Sequence, residues 1–350
     1  MPRTNKAAFY PSDKAPLLSV APAPYPTAGP GEVVIRVAAA AINPIDHKVQ
    51  DLGTSILPWL TYPLAGGLDL AGTIVAVGPG VSADHALAPG DRVLAFALEF
   101  ASRAGAFQLY AVASASAVSR IPDAVSFVDA AVLPSGFATA AVALYQYLGL
   151  AAPPAPPSAP APRTGRTVLI AGGASSVGSN AIQLAVASGY DVITTCSVHN
   201  TAHCASLGAS RVFDYHSPSV AADLKAALSG ADLAGAISCV EESNALVFDV
   251  VSSSSEGSKS VACTILFSEE GVPANVRTEM IHAHWIKDTP LAAAVFGAFL
   301  PAALATGAYK CEPKARVVGH GLEAVQAAFD IGKMYTLSCE KLVVTLKSEA

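Results

Sequence analysis

The hydrophobic pattern of the first 120 residues predicts a set of short strands. Apolar and β-branched runs alternate with glycine, proline and aspartate, which favour turns. The runs cover residues 33–37, 70–77, 92–96, 107–112 and 117–121. Short strands at this spacing are typical of a small barrel or sandwich, so the chain is expected to begin with a β-rich domain.

The pattern changes to a helical one after Pro122. Residues 126–147 read as helical, with two helices meeting near Pro134. The segment that follows, 151–162, is too rich in proline for either regular element. It is expected to be an extended, exposed loop, either an insertion or a linker.

Strand and helix patterns alternate regularly from residue 166 onward. The predicted strands are 167–171, 191–196, 211–213, 233–239 and 260–267, and a last strand is expected at 341–346. The predicted helices between them are 177–188, 200–207, 218–228 and 244–251. This alternation indicates βαβ units, and therefore a parallel sheet with helices on both faces.

The composition excludes several classes of protein. Hydrophobic residues make up 52% of the 350 and charged residues only 14%, which argues against a disordered chain. Lys+Arg number 21 against 27 Asp+Glu, with no basic stripe, so no nucleic-acid partner is expected. The uncharged segments 130–162 and 291–309 approach the length of a membrane span, but proline and glycine interrupt both. They are expected to be buried, alanine-rich helices, with no membrane partner.

The N-terminus and the cysteines point to a cytoplasmic location. Residues 1–12 lack the apolar core of a signal peptide. The six cysteines are scattered without a Cys-x-x-Cys pair, as expected for buried thiols in a reducing compartment.

A small-residue turn follows the predicted strand 167–171 and opens a helix. Its sequence is Gly172-Gly173-Ala174-Ser175-Ser176-Val177-Gly178. Backbone amides at such a turn cradle a pyrophosphate, and the helix dipole favours its negative charge. The fit to the dinucleotide fingerprint is imperfect, because Ser175 stands where the central glycine is expected. The turn predicts a dinucleotide site; the alternative is a tight turn needed only for packing.

The end of the next strand predicts the type of nicotinamide cofactor. An NAD site usually has a carboxylate about 20 residues further on, which binds the ribose 2′-hydroxyl. Here the strand ends in Thr194-Thr195-Cys196-Ser197, with no carboxylate. Ser197, His199, Asn200 and Tyr215 can donate hydrogen bonds to a 2′-phosphate, which favours NADPH over NADH. The alternative for His199 is an exposed loop residue.

A second group of polar residues lies in the β-rich half. Asn43, Asp46, His47 and Lys48 follow an apolar run at a turn fixed by Pro44. They are candidates for a binding or catalytic role. The alternative is a helix N-terminus with Asp46 near its cap.

Several motifs in one order resemble the medium-chain dehydrogenase/reductase superfamily over nearly the whole chain. They are Asn43-Pro44-x-Asp46-x-Lys48, Gly67-x-Asp69-x-Ala71-Gly72, Gly90-Asp91-Arg92-Val93, the glycine turn and Leu207-Gly208-Ala209. The resemblance implies an α/β fold with two domains. A GroES-like, β-rich catalytic domain would span 1–130 and be completed by 307–350. A Rossmann domain with a doubly wound parallel sheet would span 131–306, with the proline-rich loop at 151–162.

The chain resembles the zinc-independent branch of that superfamily. Zinc-dependent members have a cysteine where Asn43 stands and Gly-His-Glu where Gly67-Leu68-Asp69 stands. The four-cysteine lobe of structural zinc is also missing. Zinc prefers a tetrahedral set of nitrogen and sulfur ligands, so no metal is expected.

Within this branch the chain resembles fungal enoyl-reductase-like proteins, including trans-acting enoyl reductases of polyketide pathways. The residues that carry this resemblance are 172–179, 196–200, 213–215 and 340–343, together with the proline-rich loop. Val198 replaces the proline that usually precedes His-Asn. The branch also contains quinone reductases, so the substrate does not follow from the resemblance.

The resemblance implies transfer of a hydride from NADPH to the β-carbon of an activated alkene, an enoyl or enone compound. The implied catalytic residues are Lys48 and Thr139. Lys48 could instead reach only a cofactor phosphate or ribose, and Thr139 could be a packed helix residue. The implied cofactor-binding residues are Asn43, Ile45, Asp46, His47, Lys48, Thr139, Gly173, Ala174, Ser175, Ser176, Val177, Ser197, His199, Asn200, Tyr215, Leu266, Phe267 and Lys341.

The implied substrate-contacting residues are Ser135, Gly136, Phe137, Met280, His282 and His284. His282 and His284 alternate, so on a strand both would point the same way; a paired-histidine metal site lacks a third ligand. The alternative functions are an NADPH-dependent quinone reductase and a non-catalytic NADPH-binding sensor. The expected partner is a small-molecule substrate, free or carrier-bound, and the chain is expected to be a monomer or a homodimer.

Overall fold

The computed structural model describes residues 4–81, 87–155, 161–334 and 336–346. The strands, in chain order, are β1 (Asn5–Tyr10), β2 (Ser19–Ala23), β3 (Glu32–Ala41), β4 (Leu64–Ala65), β5 (Asp69–Val77), β6 (Arg92–Phe96), β7 (Tyr110–Ser114), β8 (Val118–Arg120), β9 (Thr167–Ala171), β10 (Asp191–Cys196), β11 (Arg211–Asp214), β12 (Leu233–Ser238), β13 (Ser260–Cys263), β14 (Arg277–Met280), β15 (Lys314–His320) and β16 (Glu340–Thr345).

The α-helices, in the same order, are α1 (Pro44–Leu52), α2 (Phe127–Ala130), α3 (Pro134–Ala141), α4 (Ser176–Ala187), α5 (Thr201–Ser206), α6 (Val220–Leu228), α7 (Asn244–Ser253), α8 (Pro290–Ala292), α9 (Leu300–Ala305) and α10 (Ala324–Gly332). The segments Val142–Tyr147 and Ala293–Phe299 are π-helical. Short 3₁₀ turns occur at Gly53–Ser55, Ala115–Ala117, Val198–Asn200, Glu241–Ser243, Glu269–Gly271 and Ala283–Ile286.

The first of two compact units combines both ends of the chain, Met1–Ser135 and Lys287–Ala350. Its larger sheet has the order β15-β16-β3-β5-β6-β8, with β7 also paired to β3, and a smaller sheet has the order β2-β1-β4. The ring of Phe329, on α10, lies 6.0 Å from that of Tyr10 and 5.6 Å from that of Phe107. These buried aromatic side chains join α10 to β1 and to the segment that precedes β7.

The second unit, Gly136–Ile286, contains a sheet with the order β11-β10-β9-β12-β13-β14. Every pair of neighbouring strands in it is parallel. All five residues of β9 are buried, which explains why this strand reads as a continuous apolar run. The order is that of a doubly wound Rossmann sheet, so the predicted α/β fold is confirmed. Ligands bind such sheets where the strand order reverses, which here is the carboxyl edge between β9 and β12.

Two predicted strands differ from the observed ones. The strand expected at 107–112 is observed as β7, which begins at Tyr110. The residues before it contact β1 through an isolated bridge between Ala7 and Gln108 and through a 2.9 Å hydrogen bond from the Ala8 amide to the Phe107 carbonyl oxygen. The strand expected at 260–267 ends at Cys263. Its neighbours end there too, since Ser238 of β12 and Met280 of β14 both pair with Cys263. Leu266 and Phe267 therefore lie beyond the sheet.

The boundary expected between the domains also differs. The predicted Rossmann segment, 131–306, ends 20 residues beyond the end of the second unit at Ile286. Lys287 forms an ion pair with Glu99, and α9 and the π-helical segment before it pack against β8 of the first unit. The apolar segment 291–309, expected in the Rossmann half, is therefore buried largely within the first unit.

The helical pattern of 126–147 corresponds to α2, α3 and the π-helical segment after α3, and α3 begins at Pro134 as predicted. By length and composition, Phe127–Tyr147 is apolar enough to cross a membrane, with a mean hydropathy of 1.6. However, 78% of its most apolar stretch is buried inside the protein, as in a core helix. In the predicted proline-rich loop, 151–155 and 161–162 are irregular, and the remainder lies outside the described residues.

Candidate functional site

The glycine turn of the second unit connects β9 to α4 and depends on two small residues. Ser175 is the N-cap of α4, and its Oγ accepts a hydrogen bond from the Gly178 amide over 3.0 Å. The serine that replaces the fingerprint's central glycine therefore has a structural role. A Cβ on Gly178 would lie 2.2 Å from the Gly172 carbonyl oxygen, so only glycine fits at that position.

The first turn of α4 offers donors to an anionic ligand. The leading amides of an α-helix have no acceptor within the helix, which applies here to Ser176 and Val177. The Ser176 Oγ is buried and has no hydrogen-bond partner among the described residues. The positive end of the helix dipole lies at the same place. A dinucleotide pyrophosphate fits this set of donors, with Gly173 and Ala174 preceding them in the turn.

Two hydroxyl groups meet at the ends of neighbouring strands in the second unit. Ser197, after β10, and Tyr215, after β11, form a hydrogen bond of 2.8 Å between their hydroxyl oxygens. The Tyr215 side chain is exposed, and its ring packs on His216 with centroids 4.2 Å apart. Asp214, at the end of β11, accepts a hydrogen bond from the His216 amide over 3.0 Å. The structure thus brings together two of the four residues predicted to bind a 2′-phosphate.

The other two residues of that prediction lie in the 3₁₀ turn Val198–Asn200. The side chain of His199 is exposed, whereas Asn200 is buried. The exposed side chain of His199 agrees with the alternative interpretation, in which it is a loop residue at the surface. Contact of either residue with a cofactor stays a prediction.

The edge formed by β12 and β13 contains a residue that sequence reasoning missed. Asn244, the first residue of α7, donates from Nδ2 to the Leu266 carbonyl over 3.2 Å. Its Oδ1 is buried without a partner in the described part of the chain. Leu266 has an exposed side chain, whereas Phe267 packs edge-on against Phe248 at 6.0 Å. The sequence signal that could have identified Asn244 is its place as a polar residue soon after β12, at the carboxyl edge of the parallel sheet.

Helix α3 supplies three predicted substrate-contacting residues and Thr139. A Cβ on Gly136 would lie 2.5 Å from Ser176 Oγ, so Gly136 allows α3 to approach the first turn of α4 closely. Phe137 is fully buried and Thr139 is 8% exposed. The Ser135 amide donates a hydrogen bond of 2.7 Å to Asp69 Oδ1. The structure assigns packing roles to Gly136 and Phe137, while contact of these residues with substrate stays a prediction.

The prediction that His282 and His284 alternate on a strand is wrong. β14 ends at Met280, and Ala283–Ile286 forms a 3₁₀ turn, because β13 ends at Cys263 and leaves β14 no partner. The two imidazole rings lie 5.3 Å apart, and His282 also packs edge-on against Trp285 at 5.4 Å. Burial lowers the pKa of both histidines. Within the described ranges, no cluster of three or more potential metal ligands is found.

In the first unit, Asn43 is the N-cap of α1, and Asp46 in the first turn completes a capping box with it. The Asn43 amide donates to Asp46 Oδ2 over 2.7 Å, which confirms the alternative of a helix N-terminus with Asp46 near its cap. The Asp46 side chain is fully buried, and its Oδ1 has no hydrogen-bond partner in the described ranges. The pKa of Asp46 is raised to about 8, mainly by burial: the hydrogen bond from the Asn43 amide lowers it, the neighbouring Asp69 raises it, and Lys341 lowers it.

The two faces of α1 differ in exposure. His47 is buried beside Gly332, and burial lowers its pKa. Ile45 and Lys48 are three residues apart and lie half-exposed on another face. Lys48 forms no ion pair or hydrogen bond with the described part of the chain. Its ammonium group is therefore available to a ligand.

A buried ion pair joins the two ends of the chain in the first unit. Lys341 Nζ bonds Asp69 Oδ2, and the two side chains are 4% and 0% exposed. Asn43 lies between them: its Nδ2 donates to Asp69 Oδ2 over 3.0 Å, and its Oδ1 accepts from Lys341 Nζ over 3.1 Å. Lys341 was predicted to bind the cofactor, which stays a prediction. Asp69 was missed as a site residue, although its motif Gly67-x-Asp69 was visible.

Two of these three residues, Asn43 and Asp69, stand at positions that hold ligands in zinc-dependent members of the resembled superfamily. The groups present are one amide and one carboxylate already paired with an ammonium ion. Zinc is bound by thiolate, imidazole and carboxylate ligands. An amide is not among these ligands, and the carboxylate here is already bonded to a positive charge. The residues present do not fit a zinc ion.

Comparisons with known proteins agree with this fold. Residues 29–123 match the family model described as alcohol dehydrogenase GroES-like domain. The chain is 45% identical to "Dehydrogenase azaJ" of Aspergillus niger, covering 98% of this chain and 99% of that protein. It is 37% identical to "Trans-enoyl reductase himH" of Aspergillus japonicus, covering 98% and 97%.

The fold is shared with a solved structure of an alcohol dehydrogenase superfamily protein from Novosphingobium aromaticivorans. The TM-score is 0.76 at 23% sequence identity, covering 98% of this chain and all of that one. Together with the GroES-like match and the Rossmann sheet, the high identity to the fungal relatives settles the family. The chain belongs to the medium-chain dehydrogenase/reductase family and is an oxidoreductase related to fungal enoyl reductases.

Proposed function

We propose that the protein is a zinc-independent, NADPH-dependent reductase that transfers a hydride to the β-carbon of an activated alkene. The observation that carries the proposal is that Asn43 and Asp69, which stand where zinc-dependent members hold ligands, are both hydrogen-bonded to Lys341. Besides a hydride and a proton, reduction of an activated alkene requires hydrogen-bond donors or a cation near the carbonyl oxygen, where negative charge develops, and no metal ion. The relative named as a trans-enoyl reductase supports the same reaction.

The preference for NADPH is supported by the hydroxyl pair of Ser197 and Tyr215. No carboxylate stands at the end of β10, where an NAD-specific site commonly has one. The two hydroxyl oxygens lie 2.8 Å apart, and the Tyr215 side chain is 43% exposed. Both can turn their hydrogen atoms toward a phosphate oxygen.

When bound, the reduced nicotinamide supplies the hydride. Addition of that hydride to the β-carbon would shift the alkene electron pair toward the carbonyl carbon and the carbonyl π pair onto its oxygen, which would gain negative charge. We assign Lys48 to stabilising that oxygen, because its side chain is half-exposed and its ammonium group has no partner in the described ranges. We assign Thr139, on α3, the role of a hydroxyl donor. Water then protonates the α-carbon and completes the reduction.

The reaction is tested with NADPH carrying deuterium at the transferred position. The panel contains enones, enoyl thioesters (free and on an acyl carrier protein), quinones and aldehydes. Deuterium at the β-carbon of a saturated product is the expected result, located by NMR. Deuterium at an alcohol carbon, or turnover of quinones alone, overturns the alkene assignment. Tight NADPH binding without any turnover identifies the non-catalytic sensor instead.

The role of Lys48 is tested by Lys48→Met, with Lys225→Met as the control. Lys225 is a partly exposed lysine that pairs with Asp249 on the surface of the second unit. Loss of the ammonium group is expected to lower kcat at least about tenfold, equivalent to about 1.4 kcal/mol of transition-state stabilisation. A weaker affinity for NADPH with unchanged kcat would place Lys48 on the cofactor instead.

A further inference from the structure

The buried ion pair Lys341–Asp69 lies at the beginning of two helices. Asp69 Oδ1 accepts from the Ser135 amide, in the first turn of α3, over 2.7 Å. Asp69 Oδ2 accepts from the side chain of Asn43, the N-cap of α1, over 3.0 Å. A single carboxylate therefore holds the starts of both helices, one through each oxygen.

The ammonium group of Lys341 fixes this arrangement from the other side. It bonds the carboxylate of Asp69 and the Oδ1 of Asn43, so the Asn43 amide has one possible orientation. The three side chains are at least nine-tenths buried, so water competes little for these bonds. β16 brings Lys341 to this place, because Val343 pairs with Ala41, and Ala41 pairs with Asp69 on β5.

We propose that Lys341 and Asp69 are a positioning pair, which sets the starts of α1 and α3. These helices carry Lys48 and Thr139, and neither Lys341 nor Asp69 is a direct contact of cofactor or substrate. The kinetic part of this proposal rests on the proposed function; the structural part does not.

Two double variants, both without the charges of Asp69 and Lys341, test whether the hydrogen bonds position the helices. They differ in whether the side chain at position 69 can still form hydrogen bonds. Asp69→Asn with Lys341→Met keeps an oxygen acceptor for the Ser135 amide and a side-chain amide for Asn43. Asp69→Leu with Lys341→Met removes both. The control is Asp249→Asn with Lys225→Met, which removes an exposed ion pair of 2.8 Å in the second unit.

Amide hydrogen exchange of the full chain without cofactor is the main measurement. In the leucine variant, exchange in residues 42–48 and 134–141 is expected to rise at least about tenfold, while α7 is unchanged. In the asparagine variant, the rise in these segments is expected to stay below about threefold. Equal exchange in the two variants, or no rise in the leucine variant, overturns the proposal. This measurement needs no substrate, so it holds even if the alkene activity is absent.

Kinetics and NADPH titration provide the second measurement. The leucine variant is expected to lose at least about tenfold in kcat, while its Kd for NADPH changes less than about threefold. A large rise in that Kd with unchanged exchange would make Lys341 a cofactor contact and overturn the proposal. If the leucine variant does not fold, Asn43→Ala replaces it. That change is expected to raise exchange at 42–48 and leave 134–141 unchanged; the opposite pattern, or no change, also overturns the proposal.

Discussion

Ser197 and Tyr215 share a hydrogen bond of 2.8 Å across the carboxyl ends of β10 and β11. The two residues are 18 positions apart in the chain and are brought together by parallel pairing, in which Cys196 lies opposite Asp214. The hydroxyls of Ser197 and Tyr215 carry no charge themselves and provide hydrogen-bond donors for a phosphate. The pair is therefore the part of the site on which cofactor preference is expected to depend.

The first prediction concerns that preference. The protein is expected to bind NADPH at least about tenfold more tightly than NADH, which corresponds to about 1.4 kcal/mol. Ser197→Ala with Tyr215→Phe is expected to narrow the ratio by weakening NADPH binding alone. The measurement is a fluorescence titration with each cofactor.

A second serine–tyrosine pair provides the control for this prediction. Tyr145 and Ser188 are hydrogen-bonded over 2.9 Å at the C-terminal end of α4. Tyr145→Phe with Ser188→Ala is expected to leave the ratio of the two affinities unchanged. Equal affinities of the unaltered protein for NADPH and NADH would contradict the prediction.

The second prediction concerns the serine in the glycine turn. Ser175→Ala removes the cap of the Gly178 amide and is expected to lower the free energy of unfolding by about 1 kcal/mol. Ser175→Gly restores the glycine of the usual fingerprint and is expected to lower the free energy of unfolding by only a few tenths of a kcal/mol. Urea unfolding measures both changes. Ser219→Ala is the control, because Ser219 is the N-cap of α6 but its side chain makes no capping bond; an equal loss there would argue against capping by Ser175.

The third prediction concerns the pH dependence of stability. Asp46 is neutral in the folded protein up to a pKa of about 8, whereas an unfolded aspartate has a pKa of about 3.9. Between these values the folded state holds a proton that the unfolded state has released. The free energy of unfolding is therefore expected to fall as pH rises, by at most about 1.4 kcal/mol per pH unit from this group.

Asp46→Asn is expected to flatten this fall, because the amide keeps an acceptor for the Asn43 amide and does not titrate. Urea unfolding over the interval between the two pKa values measures the slope. Asp123→Asn, at a fully exposed side chain, is the control. The same slope in Asp46→Asn and in the unaltered protein would show that Asp46 is not its source.

The fourth prediction concerns the contact between α3 and α4. Gly136→Ala places a Cβ 2.5 Å from Ser176 Oγ and is expected to destabilise the protein by about 1–3 kcal/mol. Adding Ser176→Gly removes that oxygen and is expected to recover part of the loss, with a coupling of at least about 0.5 kcal/mol. The recovery is partial, because the Ser176 carbonyl oxygen would still lie 3.0 Å away.

Urea unfolding without cofactor measures this cycle. Gly271→Ala is the control, because a Cβ there meets nothing within 4 Å. A full loss in the double variant, without any recovery, would show that the Ser176 hydroxyl is not what the added methyl group meets.

The centre of the Rossmann half was predictable because its inner strands, β9, β10, β12 and β13, are buried on both faces. β9 and β10 match the predicted bounds, and the helix after the glycine turn differs by one residue at each end. Apolar runs of this kind, bounded by glycine, can be recognised without knowledge of their partners. By contrast, β15 has mostly exposed or half-exposed residues, so its sequence carries little hydrophobic signal.

Candidate residues near one another in sequence were easier to find than those joined by the fold. The glycine turn and the start of α1 are local features with recognisable residue types. The bond between Asp69 and Lys341 spans 272 positions, and its partners meet only because β3 lies between β5 and β16. The helical turn at His282 and His284 also depended on a distant event, the end of β13 at Cys263. The pattern of a single sequence shows neither the contact between Asp69 and Lys341 nor the place where β13 ends.

The participation of both chain ends in the first unit imposes an order on synthesis. The ribosome releases the 151 consecutive residues of the second unit, Gly136–Ile286, before it makes β16 and α10. A continuous domain can fold as it emerges, since all of its strands are already present. The first unit must wait for its final strand. Until then the nascent chain exposes the unpaired edge of β3 and the Tyr10 and Phe107 surface that α10 covers, a state in which chaperone binding would protect it from aggregation.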